Sequence, residues 1–191
     1  MYDVSFDLET LGVADDAVII SIGAVVFNRE SGEIIERFYA AIDPECEIEL
    51  VNASISASTL KWWMTQRAEV LAQAFEEAKN PIEALSELFD MLSKYTIQGY
   101  WGNGATFDIT KLGQMAKRYS LTAPWDNPTI PHSFTYVRDL RTLMGIATSL
   151  GFNKTSVPRV GDHHNALDDA EYQANLVTHA TNFISTAANA A

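Results

Sequence analysis

Asp7 and Glu9 lie two residues apart in Ser5-Phe6-Asp7-Leu8-Glu9-Thr10. Side chains on a strand alternate between faces, so these carboxylates share one face while Val4, Phe6 and Leu8 share the other. Neighbouring anions repel and raise each other's pKa unless a cation intervenes, and hard divalent cations take such oxygen ligands. Far downstream stand Asp108, and then His164 followed five positions on by Asp169. Four acids and one histidine predict a metal-dependent nuclease. Hydrolysis of a phosphodiester must bring water to an anionic phosphorus and offset charge on the leaving oxygen, and a pair of divalent ions answers both needs.

Several elements must position these residues. Residues 2–9, 18–28 and 33–42 read as three strands of an antiparallel meander, with a turn over residues 28–32. A short helix is expected around Thr59-Leu60-Lys61-Trp62-Trp63-Met64, and a longer one from Pro81 to Lys94 carries Ile82, Leu85, Leu88, Phe89 and Leu92 at helical spacing. Residues 97–101 form a fourth strand ending at Gly102-Asn103-Gly104, and Thr106 begins a helix to Tyr119 with Asp108 in its first turn. Pro124, Pro128 and Pro131 mark residues 120–132 as irregular, after which Phe134 to Val137 is expected to be a fifth strand and Arg138 to Leu150 a helix. The last helix buries Leu167, Ala170, Ala174, Val177, Thr181 and Ile184, leaving Asp169 free to reach a cleft. The expected fold class is α/β, a five-stranded mixed sheet flanked by helices, in a single domain over residues 1–185 with a frayed tail at 186–191.

Composition narrows the function. The chain has 191 residues, 47% hydrophobic and 20% charged, as expected of one globular domain. No apolar run is long enough to cross a bilayer and no signal-peptide pattern opens the chain, so no membrane partner and a cytoplasmic location, in a bacterium or a phage-infected host, are expected. Cys46 is the lone cysteine, which excludes an intrachain disulfide and a cysteine-rich zinc site. The net charge of −12 argues against a protein that coats nucleic acid nonspecifically, but an enzyme holding a few nucleotides at one strand end can be acidic elsewhere. Lys111, Lys117, Arg118, Arg138, Arg141, Lys154 and Arg159 are candidates for lining a substrate groove, with ordinary solvated surface as the competing reading of each.

Taken together, the motifs resemble those of the DnaQ-like 3′-to-5′ exonucleases of the ribonuclease H-like superfamily, in the DEDDh branch. Phe6-Asp7-Leu8-Glu9-Thr10 is similar to the first motif of that family. Asn103-Gly104-Ala105-Thr106-Phe107-Asp108 resembles the second, and His164-Asn165-Ala166-Leu167-Asp168-Asp169 the third. His163 with Asp168 has the same spacing, but the Ala166-Leu167 pair and Ala170 favour His164 with Asp169. A lone Asp-x-Glu is a weak signal; three motifs in order across most of the chain are a strong one. Thr59-Leu60-Lys61-Trp62-Trp63 and Trp101-Gly102-Asn103-Gly104 further resemble a branch of phage exonucleases and bacterial exoribonuclease-like domains.

The resemblance implies two Mg2+ ions, with Mn2+ as a substitute, held by Asp7, Glu9, Asp108 and Asp169, Asp7 bridging both. It implies His164 as general base, a task suited to a side chain with an unperturbed pKa near 6.5. Thr10 and Leu11 resemble positions that contact the terminal 3′ hydroxyl and wedge beside the last base. Trp62, Trp63 and Phe107 offer stacking surface; tryptophans on a short helix are also core material, and Trp63 is the one assigned to substrate. Asn103 is either a turn residue or a contact to the penultimate nucleotide. The implied partners are single-stranded DNA or RNA 3′ ends, with nucleoside 5′-monophosphate as product, and a second copy of the chain as a homodimer. Two other classes stand beside this reading: a nucleic-acid-binding proofreading or accessory module of a larger replication or recombination assembly, and a structural metal-binding domain. A structural site has no use for a general base.

Overall fold

A computed structural model describes residues 2–128 and 133–189. Residues 129–132 of the irregular segment and 190–191 of the tail lie outside the described residues. The order of strands and long helices follows the hydrophobic patterning. Strands β1 (Tyr2–Thr10), β2 (Ile19–Asn28) and β3 (Ile34–Ala41) form the expected meander. Next come helices α1 (Pro44–Val51), α2 (Ala57–Trp63), α3 (Ala68–Gln73) and α4 (Pro81–Ser93), then β4 (Ile97–Gly102) and α5 (Asp108–Arg118). The chain closes with β5 (Val137–Asp139), α6 (Leu140–Ser149) and α7 (Ala166–Asn189).

The five strands form one sheet in the order β3-β2-β1-β4-β5, with β1 parallel to β4, β4 parallel to β5, and the meander pairs antiparallel. The α/β expectation holds. β1 is central, so both its faces are covered. Val4, Phe6 and Leu8 pack with Leu85 and Leu88 of α4 and with Ile109 and Leu112 of α5. On the opposite side, Val25, Phe27 and Trp101 pack beneath α6 and α7. A smaller cluster of Leu11, Val18, Ile20, Trp63 and Val70 fills the end of the sheet under α2 and α3.

Two expectations are corrected. The fifth strand is Val137–Asp139, while Ser133–Tyr136 is a 3-10 turn with Phe134 mostly exposed. The Phe-Thr-Tyr run has strand propensity, but edge pairing with Tyr100, Trp101 and Gly102 selects the next three residues. Two helices, α1 and α3, stand where no helix is expected, although α1 carries a local start signal: Asp43 accepts from the Glu45 amide and Pro44 follows it. Residues 186–189 of the expected tail are helical, at the end of α7. No helix among the described residues is long and apolar enough to cross a membrane.

Candidate active site

β1 presents Asp3, Ser5, Asp7 and Glu9 on the face opposite Phe6, and a register shift in its pairing with β2 falls between Glu9 and Thr10. The extra residue there is Ile20 of β2, and such a bulge increases the local twist of the ladder at the end where β1 carries its acids. Asp108 arrives from the parallel neighbour β4, at the first residue of α5. Asp169 arrives from the first turn of α7, and that helix start lies directly on β2. A Cβ on Gly23 would overlap the backbone carbonyl of Ala166, so only glycine allows the approach. Gly23 is the strand partner of Asp7, so the contact sets Asp169 beside the acids of β1.

The segment before α7 is held tightly. The Asn165 side chain accepts from the amides of Leu167 and Asp168 and so caps the helix. His164 has a left-handed backbone, φ 67°, and its amide donates to Asp169 Oδ2 at 2.9 Å. Positive φ at a non-glycine residue costs roughly 1–3 kcal/mol and persists only where its surroundings impose it. Asp168 turns the other way, accepting from the Asp162 amide at 2.8 Å. The structure thus divides the two His-x4-Asp pairs: Asp169 faces Glu9, and Asp168 supports the loop.

Asp7, Glu9, Asp108, Asp169, His164, Asn103 and Phe107 all line one cleft of about 710 Å³. Glu9, His164 and Asp169 offer ligand atoms within 4.8 Å of one another. The His164 Nδ1 lies 3.9 Å from Glu9 Oε1, too far for a hydrogen bond. The carboxyls are crowded and largely dry. Burial, then the charges of Asp108 and Glu9, push the Asp7 carboxyl well above its ordinary range. Burial and the charge of Asp108 push Glu9 up to about 8. Burial raises Asp108 to about 7, against backbone hydrogen bonds from Leu8 and Asn103 that favour its charged form. Burial, His163 and Arg159 lower the His164 pKa, which favours a neutral imidazole. Among the described residues, the side-chain partners of these acids are few: Gln173 donates to Asp7 Oδ1 at 2.6 Å, and Arg159 pairs with Asp169. An all-oxygen set with so little compensating charge fits hard divalent cations.

Three residues assigned to substrate stand elsewhere. Trp63 is 2% exposed, sits in the small core cluster and donates its indole N–H to the Thr10 carbonyl at 2.9 Å. The Leu11 side chain is in the same cluster, and its amide is already bonded to the Val18 carbonyl. The Thr10 hydroxyl donates to the Gly12 carbonyl. Neither Thr10 nor Leu11 lines the cleft. Trp62, the neighbour of Trp63, is 40% exposed and meets the His164 ring edge-on, centroids 4.8 Å apart. The cleft is also lined by Arg141, Lys154, Arg159, Tyr172 and Gln173. Tyr172 and Gln173 fall outside the motifs. Gln173 stands four residues after Asp169, one turn along the same helix face, and a polar residue within an apolar stripe is its only signal in the sequence.

Comparison with known proteins supplies the family. Residues 2–181 match the family model described as a 3′-5′ exoribonuclease Rv2179c-like domain. An exodeoxyribonuclease of Enterobacteria phage T4 is 24% identical over 122 residues, which span 57% of this chain and 53% of the phage protein. The chain therefore covers about half the length of that relative. Among solved structures, the nuclease domain of 3′hExo, a DEDDh family member bound to rAMP, is 17% identical with a TM-score of 0.57, covering 95% of this chain and 92% of that one. Exonuclease I of E. coli in complex with a dT13 oligonucleotide is 11% identical with a TM-score of 0.66, covering 98% of this chain and 42% of that one. These likenesses establish the ribonuclease H-like fold. With the family model spanning nearly the whole chain, the protein belongs to the family of 3′-5′ exoribonuclease Rv2179c-like domains.

Proposed function

We propose that this protein removes nucleoside 5′-monophosphates from single-stranded or frayed 3′ ends of nucleic acid, using divalent cations held by Asp7, Glu9, Asp108 and Asp169 and a proton acceptor at His164. The observation that carries the reading is the gathering of four carboxyls from β1, α5 and α7 into one cleft with a neutral-leaning imidazole beside them. Two Mg2+ ions, or Mn2+ in their place, would supply the charge that acidifies the attacking water and offsets the negative charge growing on the leaving 3′ oxygen.

The chain's own residues do the rest. Asp7 is oriented by Gln173 and would be among the carboxylates that hold the cations. His164 accepts the proton of the attacking water; its lowered pKa keeps it in the accepting form at neutral pH. Trp62 gives the terminal base a stacking face beside that histidine, worth roughly 1–3 kcal/mol and indifferent to base identity. Asn103 and Phe107 contact the end of the strand from the β4–α5 turn.

The test is incubation with 3′-labelled and 5′-labelled single-stranded DNA and RNA, with Mg2+, with Mn2+ and with chelator, alongside Asp7→Ala and His164→Ala. Cation-dependent release of mononucleotide from the 3′ end, lost in both variants, is the expected result, and the faster polymer identifies the preferred sugar. Binding without cleavage by the unaltered protein would favour the accessory-module reading instead.

A further inference from the structure

Most candidate groove cations are committed elsewhere. The Lys111 ammonium is buried and donates to the Val13 and Ala14 carbonyls. Lys117 pairs with Asp126, Arg118 with the buried Glu47, and Arg138 donates to the carbonyls of Thr135 and Val137. Arg141, Lys154 and Arg159 instead line the acidic cleft. In a chain with 25 acidic and 13 basic residues, three cations set among the four acids of the cleft mark where a phosphate can approach.

Arg159 differs from the other two. Its Nη2 pairs with Asp169 Oδ1, occupying a carboxylate that the proposed cation site needs. Its Cζ lies 4.6 Å from the centroid of the Tyr172 ring, and its Nε and Nη2 are both buried without a hydrogen-bond partner among the described residues, the contact of Nη2 with Asp169 being an ion pair. A guanidinium supported on a ring face, beside a carboxylate and with two nitrogens unspent as hydrogen-bond donors, has the planar fork that suits phosphate oxygens. A divalent cation held by Asp169 would compete with the guanidinium for that carboxylate.

We infer that Arg159 is a substrate-phosphate ligand held in reserve on Asp169. In the cation-free protein it neutralises that carboxylate; when a divalent cation takes Asp169, the guanidinium turns on Tyr172 to the non-bridging oxygens of a phosphodiester in the cleft. The inference rests on the function proposed above, and the arrangement makes substrate grip follow cation loading.

The test compares the wild-type chain with Arg159→Gln and Arg159→Lys. Mn2+ is first titrated by calorimetry without nucleic acid. Arg159→Gln should bind Mn2+ several-fold more tightly, because the competing cation is gone. Single-stranded oligonucleotide binding is then followed against salt with Mn2+ present, in a His164→Ala background that slows turnover. The slope of log affinity on log salt should fall by about 0.7 for the glutamine variant, as for one lost phosphate contact, and be kept by lysine. A role confined to holding the loop would not move that slope. An unchanged slope overturns the phosphate role, and an unchanged Mn2+ affinity overturns the exchange at Asp169; both leave wild-type cleavage, and so the proposed function, standing. Failure of the wild-type chain both to bind and to cleave any oligonucleotide would instead sink the proposed function and the phosphate role with it.

Discussion

Gly23 and Ala166 meet backbone to backbone: the carbonyl at the start of α7 occupies the space that a side chain on Gly23 would need. Because Gly23 is paired with Asp7 across the β1–β2 ladder, this contact sets the distance between the acids of β1 and the acid of α7. Gly23→Ala should therefore cost about 1–3 kcal/mol by overpacking against rigid backbone, and should lower activity as α7 shifts. Gly145→Ala is the control. Gly145 lies inside α6, and a Cβ there would meet no atom of the described residues within 4 Å, so alanine should stabilise by roughly 0.4–1 kcal/mol. Urea midpoints of the two variants should move in opposite directions.

The adjacent tryptophans should behave differently. Trp63→Ala empties a buried site and removes the hydrogen bond to Thr10, and should destabilise by about 3–5 kcal/mol. Trp62→Ala should leave the melting temperature nearly unchanged while raising KM for oligonucleotides, in line with roughly 1–3 kcal/mol of lost stacking. Melting curves and steady-state kinetics on the same preparations separate the two outcomes; an unaltered KM in Trp62→Ala would remove Trp62 from the substrate site.

Gln173 holds Asp7 from behind through a 2.6 Å hydrogen bond. Partners that orient a metal ligand are typically worth about 10- to 100-fold in metal affinity or activity, so Gln173→Ala should need more Mg2+ for half-maximal rate and recover in part at high Mg2+. Gln173→Glu would add a further anion to the cluster and should be the worse variant. Cation dependence of the rate measures both.

The buried acids predict how stability varies with pH. Glu9 is raised to about 8 and Asp108 to about 7, so the folded, cation-free protein holds protons that the unfolded chain releases near its ordinary carboxyl values. Where the folded state binds more protons, stability falls as pH rises. The melting temperature without divalent cation should therefore decline between about pH 5 and pH 8, with the stability tied to these protons lost as pH passes through the folded values. Mn2+ or Mg2+ should restore it, and by more at the alkaline end of that window than at the acid end. Scanning fluorimetry with chelator and with Mn2+ would show this; a melting temperature that rises across the window without cation would count against the crowded-acid description.

Local pattern carried much of this protein into view. Alternation along residues 2–9 separates Asp7 and Glu9 from Val4, Phe6 and Leu8, and both faces are as the pattern requires, because strand geometry is set by neighbouring residues alone. The stripe of α4, apart from Ile82, which is 44% exposed, and the α/β order of elements were legible for the same reason. The spacing of Asp7, Glu9, Asp108, His164 and Asp169 marked them as one set, but only tertiary packing brought them to one cleft. Packing also decided what spacing could not. Trp62 and Trp63 are adjacent and chemically identical, and which is buried depends on the orientation of α2 over Leu11 and Val18. The short β5 was displaced by three residues because an edge strand is defined by its partner, β4, rather than by its own propensity. Gln173 against Asp7, Arg159 against Asp169 and Gly23 against Ala166 join residues from 10 to 166 positions apart. Residue type and local period are properties of the chain itself, whereas contacts between distant segments exist only after the sheet and its helices have closed upon one another.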